Sequence, residues 1–304
     1  MKSTYYSNGK LLITAEYTVL DGATALALPT KTGQNLVIEP GPEKSIDWTS
    51  YDSNGSIWFK DTISFATIRD NEYKGSNNAV RDTLIKILHE ASLLNSIFIE
   101  QTEGHTITTH LTFPKLWGLG TSSTLINNIA QWLNIDAFTL LKNSFGGSGY
   151  DIACAQHDNP ITYRLENGRP IVNAVDFDPS FSECIYFVYL NKKQSSKSAI
   201  AGYYNKGNDI ADAIPVINEI TAAVINSRSA SHFALLLETH EGIMSGILEM
   251  LPVKNSLFPD FNGVIKSLGG WGGDFVLVVS QHDPTNYFVN KGYRTVIPYK
   301  EMIL

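Results

Sequence analysis

The stretch WGLGTSSTLINNIAQW, residues 117–132, is the most informative part of the sequence. Apolar residues recur in and just after it at helical spacing, at Leu125, Ile129 and Leu133, which predicts an amphipathic helix. Two glycines and the hydroxyl residues Thr121, Ser122, Ser123 and Thr124 come directly before this apolar pattern. They have two explanations: a capped helix after a tight turn, or a loop whose backbone amides bind an anion. The loop is not a Walker A motif, because no Gly-Lys-Ser/Thr sequence follows it.

The composition is that of a globular protein with room for a large core. The chain has 304 residues, of which 43% are hydrophobic and 17% are charged, so two domains are expected. The net charge of -7 argues against a general nucleic-acid binder. Two cysteines are too few for a disulfide framework, and the apolar runs are too short to span a bilayer. We therefore expect a cytoplasmic protein without a signal peptide that binds neither nucleic acid nor membranes.

Sequence periodicity divides the chain into two α+β halves. It predicts helices over 79–94, 214–226 and 231–251, and a hairpin that turns at Asn54-Gly55. It predicts strands within 9–20, 34–40, 105–113, 183–190, 275–280 and 295–299. Because sheet and helix patterns occur in both halves, we expect two domains, residues 1–175 and 176–304. The boundary between them is predicted to fall between residues 160 and 182.

A second glycine-rich stretch is NSFGGSGYDIACAQ, residues 143–156. Its glycines at 146, 147 and 149 indicate an unusual backbone path. A run of small residues follows and predicts a closely packed helix. Asp151, at the start of this helix, is explained either as a helix cap or as a carboxylate that acts as a base in a cleft.

Two further stretches could approach a ligand. KSLGGWGGDF, residues 266–275, places four glycines and an acid before a strand. It forms either a tight bend or a close backbone approach to a ligand. NGKLLITAEYTVLDG, residues 8–22, contains Lys10 and Glu16, which would face the same side of a regular strand.

The histidines do not predict a metal site. The chain has seven of them, and none has the spacing of a metal motif. His240-Glu241 lacks the second histidine of a zinc-protease motif, and we expect this pair on an exposed helix surface.

In this order and at this spacing, the four stretches resemble the motifs of the GHMP kinase superfamily, from residue 7 to about residue 279. SNGKLLITAEYTVLDGATALALP, residues 7–29, resembles the first motif, with Ala15 in place of the usual glycine before Glu16-Tyr17. WGLGTSST resembles the phosphate loop, with Thr121 in place of a serine. SLGGWGGDF resembles the third motif, except that Trp271 interrupts the glycine run.

The resemblance implies a fold and a reaction. The fold is α+β, with an N-terminal domain like one in a small-subunit ribosomal protein and a ferredoxin-like C-terminal domain. The reaction is transfer of a phosphoryl group from ATP, with Mg²⁺, to a small-molecule acceptor. A cytoplasmic enzyme, acting alone or as a homodimer, fits this expectation.

The resemblance also implies roles for particular residues. Asp151 would act as the catalytic base with Lys10 beside it, and Ser123 would hold the Mg²⁺ ion. The ATP-binding loop would consist of Gly118, Leu119, Gly120, Thr121, Ser122 and Ser123. The substrate-binding residues would be Lys10, Glu16, Tyr17, Ser148, Lys197 and Gly270.

Within the superfamily, three features resemble the phosphomevalonate kinases of isoprenoid biosynthesis. These features are Glu-Tyr instead of Glu-His in the first motif, the Asp151-Ile-Ala segment, and the acid Asp274 in the third motif. Mevalonate kinases tend to carry a Mg²⁺-binding glutamate eleven residues before the base, where this chain has Leu140. Three alternatives stay open: a mevalonate kinase, a diphosphomevalonate decarboxylase and a non-catalytic nucleotide-binding homologue.

The charge of the acceptor bears on this choice. An alcohol acceptor must lose a proton and needs a base, whereas a phosphate monoester is mostly ionised at neutral pH and needs cations instead. The candidate cations are Lys10, Lys115, Lys192, Lys193 and Lys197. This set of lysines favours a phosphorylated acceptor.

Overall fold

The computed structural model describes residues 1–72, 78–193, 196–205 and 210–304, with the backbone alone at 196–199 and 205. Its strands are β1 (Ser3–Leu12), β2 (Ala25–Gly41), β3 (Ser45–Tyr51), β4 (Ile57–Ser64), β5 (Gly104–Leu111), β6 (Ile161–Glu166), β7 (Arg169–Ala174), β8 (Ile185–Tyr189), β9 (Val264–Ser267), β10 (Phe275–Val279) and β11 (Val296–Pro298). Its helices are α1 (Phe65–Arg69), α2 (Ala79–Leu94), α3 (Ile97–Glu100), α4 (Thr121–Leu133), α5 (Ala137–Ser144), α6 (Tyr150–Ala155), α7 (Ser196–Asn205), α8 (Ala213–Ile225), α9 (Ala230–Leu248), α10 (Val253–Leu257), α11 (Thr285–Asn290) and α12 (Tyr299–Met302).

The chain forms two compact units, and neither is continuous in sequence. The first unit comprises Met1–Gly9, Thr32–Lys115 and Leu119–Gln156. The second unit comprises Lys10–Lys31, Leu116–Gly118 and His157–Leu304. The predicted division into domains 1–175 and 176–304 stays a prediction.

The sheet of the first unit has the strand order β4-β3-β5-β2. β3 pairs antiparallel with β4 and parallel with β5, and β5 pairs antiparallel with β2. The predicted hairpin at Asn54-Gly55 is confirmed, and Gly55 has the left-handed φ of 79° that such a turn favours. β3 alternates buried and partly exposed residues, because one face of the sheet packs on helices.

Helices α2, α4 and α5 cover that face of the sheet in the first unit. Helix α2 has the predicted bounds, 79–94, because its apolar residues recur every three or four positions. Leu140 of α5 is completely buried in the same core. The core includes Leu36, Trp48, Ile107, Leu84, Leu88, Ile126, Ile129, Leu140 and Ile152.

The second unit contains an antiparallel sheet of strand order β11-β8-β10-β9 and the hairpin β6-β7. Every residue of β10 is buried, as its continuous apolar sequence FVLVV predicts. Residues 25–27 of β2 pair with β6. The core of this sheet includes Val188, Ile265, Val276, Val278, Phe258 and Phe288.

The long helices of the second unit, α8 and α9, confirm the helical predictions over 214–226 and 231–251 apart from their ends. Helix α9 begins one residue earlier than predicted, after the cap Ser229, whose side chain accepts a hydrogen bond from the His232 amide. It ends at Leu248, before Glu249 in a left-handed conformation with φ 50°. A helix needs right-handed backbone, so Glu249 stops it before the predicted residue 251.

The strand predicted over 9–20 is wrong beyond Leu12. The chain leaves β1 there and enters a tight turn in which Ala15 and Tyr17 have φ values of 64° and 63°. A 3₁₀ turn, Thr18–Asp21, follows. Left-handed residues reverse the chain direction, so the argument that Lys10 and Glu16 share one side of a strand does not apply.

Sheets and helices are present in both units, as the α+β prediction requires. Among the helices of the described residues, none is both long and apolar enough to cross a membrane.

Candidate active site

The predicted phosphate loop ends at the N-terminus of α4. The helix begins at Thr121, and the residue that caps it is Gly120, in a left-handed conformation with φ 100°. No side chain of the described residues forms a capping hydrogen bond there. The explanation of a helix capped by its own hydroxyl residues is therefore wrong. The amides of the first turn are the groups that favour an anion.

Two hydroxyl groups in the first turn of α4 point back to the Gly120 carbonyl. Ser123 Oγ donates to the Gly120 carbonyl at 2.9 Å, and Thr124 Oγ1 lies 3.0 Å from the same oxygen. Ser123 and Thr124 are buried, whereas Thr121 and Ser122 are partly exposed. Thr121 and Ser122 are thus the more accessible hydroxyl residues at the start of the helix.

A buried polar network that was not predicted from the sequence anchors α4 in the first unit. Ser7 Oγ donates to Asn128 Oδ1 at 2.7 Å, and Asn127 Nδ2 donates to Ser7 Oγ at 2.9 Å. Asn128 Nδ2 donates to the Gln34 carbonyl at 2.9 Å. Because unpaired polar groups are costly inside a protein, this satisfied network fixes the position of the helix. The two asparagines inside an apolar helical pattern were the available signal.

Gly118, which belongs to the second unit, lies between a lysine and a carboxylate. Lys10 Nζ donates to the Gly118 carbonyl at 3.3 Å. A Cβ added at Gly118 would lie 2.4 Å from Asp274 Cγ, so the Asp274 side chain packs directly on this glycine. Lys10, Gly118 and Asp274 are therefore brought together. The sequence marks Asp274 as the acid of the third motif, but its place beside Gly118 follows only from the fold.

This contact predicts a specific cost for Gly118→Ala. Gly118 and Gly146 both have positive φ, 71° and 81°, but nothing lies within 4 Å of a Cβ at Gly146. Both alanine variants carry the left-handed strain, and Gly118→Ala adds overpacking against Asp274, which typically costs about 1–3 kcal/mol. Urea unfolding should show this additional loss, and Asp274→Ala should relieve part of it. Equal losses in the two glycine variants would contradict the packing described here.

Aromatic residues hold the two residues that precede Gly118 in the second unit. Tyr189 Oη donates to the Leu116 carbonyl at 3.0 Å, and the Trp117 ring packs edge-on against Phe275, with centroids 5.4 Å apart. Burial, together with the negative charge of Asp274, raises the pKa of Tyr189. The Leu116–Gly118 segment is thus held by packing as well as by hydrogen bonds.

The glycine turn before α6 has the unusual backbone path that its sequence predicts. Gly146, Gly147 and Gly149 have φ values of 81°, 105° and 92°. Gly149 occupies the cap position of α6, and Asp151 lies in the first helical turn and is partly exposed. Asp151 is therefore not the cap of this helix. Its role as a base stays a prediction, as does substrate binding by Ser148, which is also partly exposed.

Glu16 is completely buried in the second unit. Lys266 Nζ, also completely buried, donates to Glu16 Oε1 at 2.5 Å. Removal from water raises the pKa of Glu16 to about 7, although the neighbouring Lys266 charge opposes the shift. The predicted contact between Glu16 and a substrate stays a prediction, and in this structure the side chain has no exposed surface.

The expectation that His240-Glu241 lies on an exposed helix surface is wrong. His240 is completely buried and Glu241 is 3% exposed. His240 Nε2 accepts a hydrogen bond from the Ala15 amide at 2.9 Å, which places the ring proton on Nδ1. Burial lowers the pKa of His240 well below its usual value, so the ring is neutral. The pair faces inward, where it contacts Ala15 and Lys266. Both partners lie on distant parts of the chain, so the helix sequence alone does not show this burial.

The left-handed Ala15 gives a second stability prediction. A left-handed alanine costs about 1–2 kcal/mol more than a glycine there, because its Cβ approaches the following carbonyl. Ala15→Gly should therefore cost about 1 kcal/mol less than Ala27→Gly, since Ala27 is equally buried but lies in an extended strand. Urea unfolding of the two variants measures the difference. Equal losses would show that the Ala15 backbone is not strained.

Tyr17 is also left-handed and nearly buried. Its ring stacks on Tyr203, with centroids 5.5 Å apart, and Tyr203 Oη donates to Asp21 Oδ2 at 2.7 Å. Burial raises the pKa of Tyr17, and the charges of Glu16 and Asp274 add to the shift. Tyr17 therefore stays protonated and can donate a hydrogen bond from its hydroxyl.

The third glycine-rich stretch forms the loop between β9 and β10. Gly269 and Gly272 have positive φ, 59° and 74°, and Gly270 is partly exposed. Trp271, with φ 41°, is 1% exposed. The bulky ring is accommodated because it is buried inside the second unit. Substrate binding by Gly270 stays a prediction.

The candidate cations other than Lys10 differ in their surroundings. Lys115 Nζ lies 4.6 Å from the centroid of the Trp58 ring, a cation–π contact. Lys192 and Lys193 are exposed. Lys197 lies in α7, but its side chain falls outside the described residues, so substrate binding by Lys197 stays a prediction.

Ser123 is chemically suited to Mg²⁺. Its hydroxyl donates its proton to the Gly120 carbonyl, so the oxygen's lone pairs can still ligate a cation. Leu140 is buried in the core and supplies no ligand. Within the described ranges, no group of three or more histidine, cysteine, aspartate or glutamate residues could hold a metal ion. Ser123 therefore fits a Mg²⁺ ion whose other ligands are phosphate oxygens and waters.

Over nearly its whole length the chain has the same fold as three solved kinase structures, which confirms the α+β class and agrees with the fold that the resemblance implies. A Streptococcus pneumoniae phosphomevalonate kinase, in complex with phosphomevalonate and AMPPNP, aligns with a TM-score of 0.71 and 15% identity, over 97% of this chain and 99% of that chain. The Methanococcus jannaschii mevalonate kinase aligns with a TM-score of 0.69 and 13% identity, over 96% and 94% of the two chains. A Lactococcus lactis galactokinase complexed with galactose aligns with a TM-score of 0.64 and 13% identity, over 95% and 88%.

The sequence itself matches no protein-family profile and no curated protein. At these identities the structural similarity defines the fold alone.

Proposed function

We propose that this protein is a cytoplasmic kinase that transfers the γ-phosphoryl group of ATP, with Mg²⁺, to a small molecule. The observation that supports this most strongly is the start of α4, where Gly120 in place of a side-chain cap leaves backbone amides for an anion. The hydrogen bond from Lys10 to the Gly118 carbonyl supports a role for this cation in the same reaction. The fold shared with three kinases supports the same class of reaction.

In this proposal, the amides of Gly118, Gly120 and the first turn of α4 bind the ATP phosphates. Ser123 would contribute its hydroxyl oxygen to a Mg²⁺ ion. When bound, the ion supplies positive charge that neutralises the phosphate oxygens as the γ-phosphoryl group is transferred. Most of the catalysis would come from holding the two reactants in line and from charge stabilisation.

The protein groups would then act on the acceptor. The acceptor oxygen attacks the γ-phosphorus, and the bond between that phosphorus and the bridging oxygen of ADP breaks. With an alcohol acceptor, Asp151 would take the proton of the hydroxyl as the new bond forms. With a phosphate-monoester acceptor, which is mostly ionised at neutral pH, Asp151 would have little proton to take and Lys10 would carry more of the charge stabilisation. Lys10 would stabilise the negative charge of the transferred group, and Tyr17 would donate a hydrogen bond to the acceptor.

We infer that the acceptor belongs to the mevalonate pathway of isoprenoid biosynthesis, with phosphomevalonate as the first candidate. The sequence features that favour it are Glu16-Tyr17 in the first motif and the acid Asp274 in the third. Mevalonate is the second candidate, since Mg²⁺ does not require a carboxylate at position 140 if nucleotide phosphates and water complete its shell. A decarboxylase and a nucleotide-binding homologue without activity are the remaining alternatives.

Release of ADP tests the proposal. The purified protein is incubated with ATP and Mg²⁺ and with mevalonate, phosphomevalonate, diphosphomevalonate, galactose or homoserine in turn. Turnover with phosphomevalonate alone is the expected result. Turnover with mevalonate alone would mean that mevalonate, and not phosphomevalonate, is the acceptor. Release of carbon dioxide from diphosphomevalonate would indicate the decarboxylase. Nucleotide binding without turnover on any of them would contradict the proposed enzyme.

A further inference from the structure

A cluster of charged side chains inside the second unit has no direct part in the proposed reaction. It consists of Glu16, His240, Glu241 and Lys266, all buried, and we refer to it as the Glu16–Lys266 cluster. Lys266 Nζ donates to Glu16 Oε1 at 2.5 Å and to the Ser267 carbonyl at 2.9 Å. The ammonium also lies 3.9 Å from Glu241 Oε2. Charges are costly to bury, so four ionisable groups in one interior site require an explanation.

The cluster connects two of the predicted substrate-binding elements. Glu16 lies in the turn Ala15–Tyr17, between two left-handed residues. Lys266 lies in β9, directly before the glycine loop that contains Gly270 and ends at Asp274. The ion pair therefore fixes the turn of the first motif to the loop of the third motif, 250 residues away in sequence.

Helix α9 holds the same turn from another side. His240 Nε2 accepts the Ala15 amide at 2.9 Å, and both Glu241 carboxylate oxygens accept the Ser267 amide at 3.1 Å. Ser267 Oγ donates to Glu241 Oε1 at 2.7 Å. The turn and the end of β9 are thus both bonded to consecutive residues of one helix. Such an arrangement restricts how far either element can move.

We propose that Lys266 and Glu16 are positioning residues, which hold the Ala15–Tyr17 turn and the Leu268–Asp274 loop at the acceptor. This inference rests on the proposed kinase function. Glu16 acts through the ion pair and not by touching the acceptor, since its side chain has no exposed surface. Tyr17, at 9% exposure, and the partly exposed Asp274 and Gly270 are the parts of these elements that can reach a ligand. A displacement of about 1 Å at a reacting group can cost about a hundredfold in rate.

A double-mutant cycle in turnover tests the proposal with Glu16→Gln, Lys266→Met and the double variant. If both residues act through one ion pair, the double variant loses no more activity than the more damaged single variant. We expect each single variant to lose about 10- to 100-fold in kcat, with the KM for ATP within about twofold of the wild type. Lys291→Met is the matched control, because Lys291 pairs with Asp260 at 2.8 Å on the surface.

Independent losses that multiply in the double variant would overturn the proposal, because Glu16 and Lys266 would then act separately. Full activity in the double variant would overturn it as well, and would make the ion pair purely structural. Glu16→Gln is nearly isosteric and keeps an oxygen for Lys266, so it provides a folded variant even where Lys266→Met unfolds.

Hydrogen exchange of the peptide over residues 13–20 gives a readout that does not need activity. The Ala15 amide should exchange faster in the double variant than in the wild type, while the exchange of the amides of α9 stays unchanged. Unchanged exchange over this peptide would overturn the positioning of the turn. If the wild type shows no turnover with any acceptor, the kinase function is wrong, and this exchange experiment alone decides whether the ion pair holds the turn.

Discussion

Lys266→Met should lose about 3–5 kcal/mol of unfolding free energy at about pH 8, the cost typical of breaking a buried ion pair. The substitution removes the ammonium from a site with no exposed surface. It leaves Glu16 and Glu241 as buried carboxylates without a neighbouring cation. Because both side chains are buried, water cannot solvate their negative charges in place of the ammonium. Urea unfolding followed by tryptophan fluorescence measures the change.

The loss should be smaller near about pH 5 than near about pH 8. Burial raises the pKa of both Glu16 and Glu241 in the folded protein. A carboxyl group with a raised folded pKa contributes most stability below its unfolded pKa and loses it as the pH rises through the folded pKa. Without Lys266 the two pKa values rise further. The variant therefore loses less unfolding free energy at low pH, where both carboxyl groups are neutral, than at high pH.

Lys291→Met is the control for loss of a lysine from an ion pair. The Lys291–Asp260 pair is as short as 2.8 Å, but it lies on the surface, where solvent screens it. We expect little change in the urea midpoint. A similar loss in the two lysine variants, or a loss at Lys266 that does not depend on pH, would contradict the buried ion pair.

Asp151→Asn should reduce turnover by about 10²–10⁴ with a hydroxyl acceptor, the range typical of a positioned base. Asparagine has nearly the same shape but cannot take the proton, so kcat should fall while the KM for ATP changes little. With a phosphate-monoester acceptor the reduction should be smaller, because that group is mostly ionised at neutral pH. The size of the effect therefore reports the type of acceptor as well as the role of Asp151.

Asp158→Asn is the matched control, because Asp158 is exposed and lies after α6. It should leave turnover unchanged. Unfolding of both variants in urea should match the wild type, since neither residue is buried. If Asp151→Asn kept full turnover with a hydroxyl acceptor, the assignment of Asp151 as the base would be wrong.

Local patterns predicted most of the regular structure. Helix α2 and the hairpin at Asn54-Gly55 were predicted well, because both depend on periodicity and turn chemistry within a short stretch. The glycine loop before α4 was also predicted from the sequence. Glycines directly before an apolar helix indicate a backbone that a ligand can approach closely, because glycine has no Cβ.

The interior of the candidate site could not be predicted in this way. Glu16 and Lys266 are 250 residues apart, and His240 reaches Ala15 across 225 residues. The sequence assigned Glu16 to substrate binding and His240 to a helix surface, and it gave Lys266 no role, because burial depends on partners that only the folded chain supplies. Ala15 was recognised as a replacement for a glycine, but its left-handed backbone was not predicted, since alanine rarely adopts this conformation.

The contact between Gly118 and Asp274 is another contact that the sequence could not predict. The sequence showed both residues in glycine-rich motifs, but their packing depends on the path of two separate loops of the second unit. Geometry of this kind follows from tertiary structure and not from spacing along the chain.

The most direct test of the proposed kinase function is ³¹P NMR of the wild-type protein with ATP, Mg²⁺ and phosphomevalonate, with mevalonate in a parallel sample. Our account predicts that the γ-phosphorus signal of ATP disappears while the signals of ADP and of a newly phosphorylated acceptor grow together. It also predicts that Asp151→Asn slows the growth of both signals, only modestly if the acceptor is phosphomevalonate and strongly if it is a hydroxyl acceptor. An unchanged spectrum with both acceptors, from a folded protein that still binds the nucleotide, would contradict it.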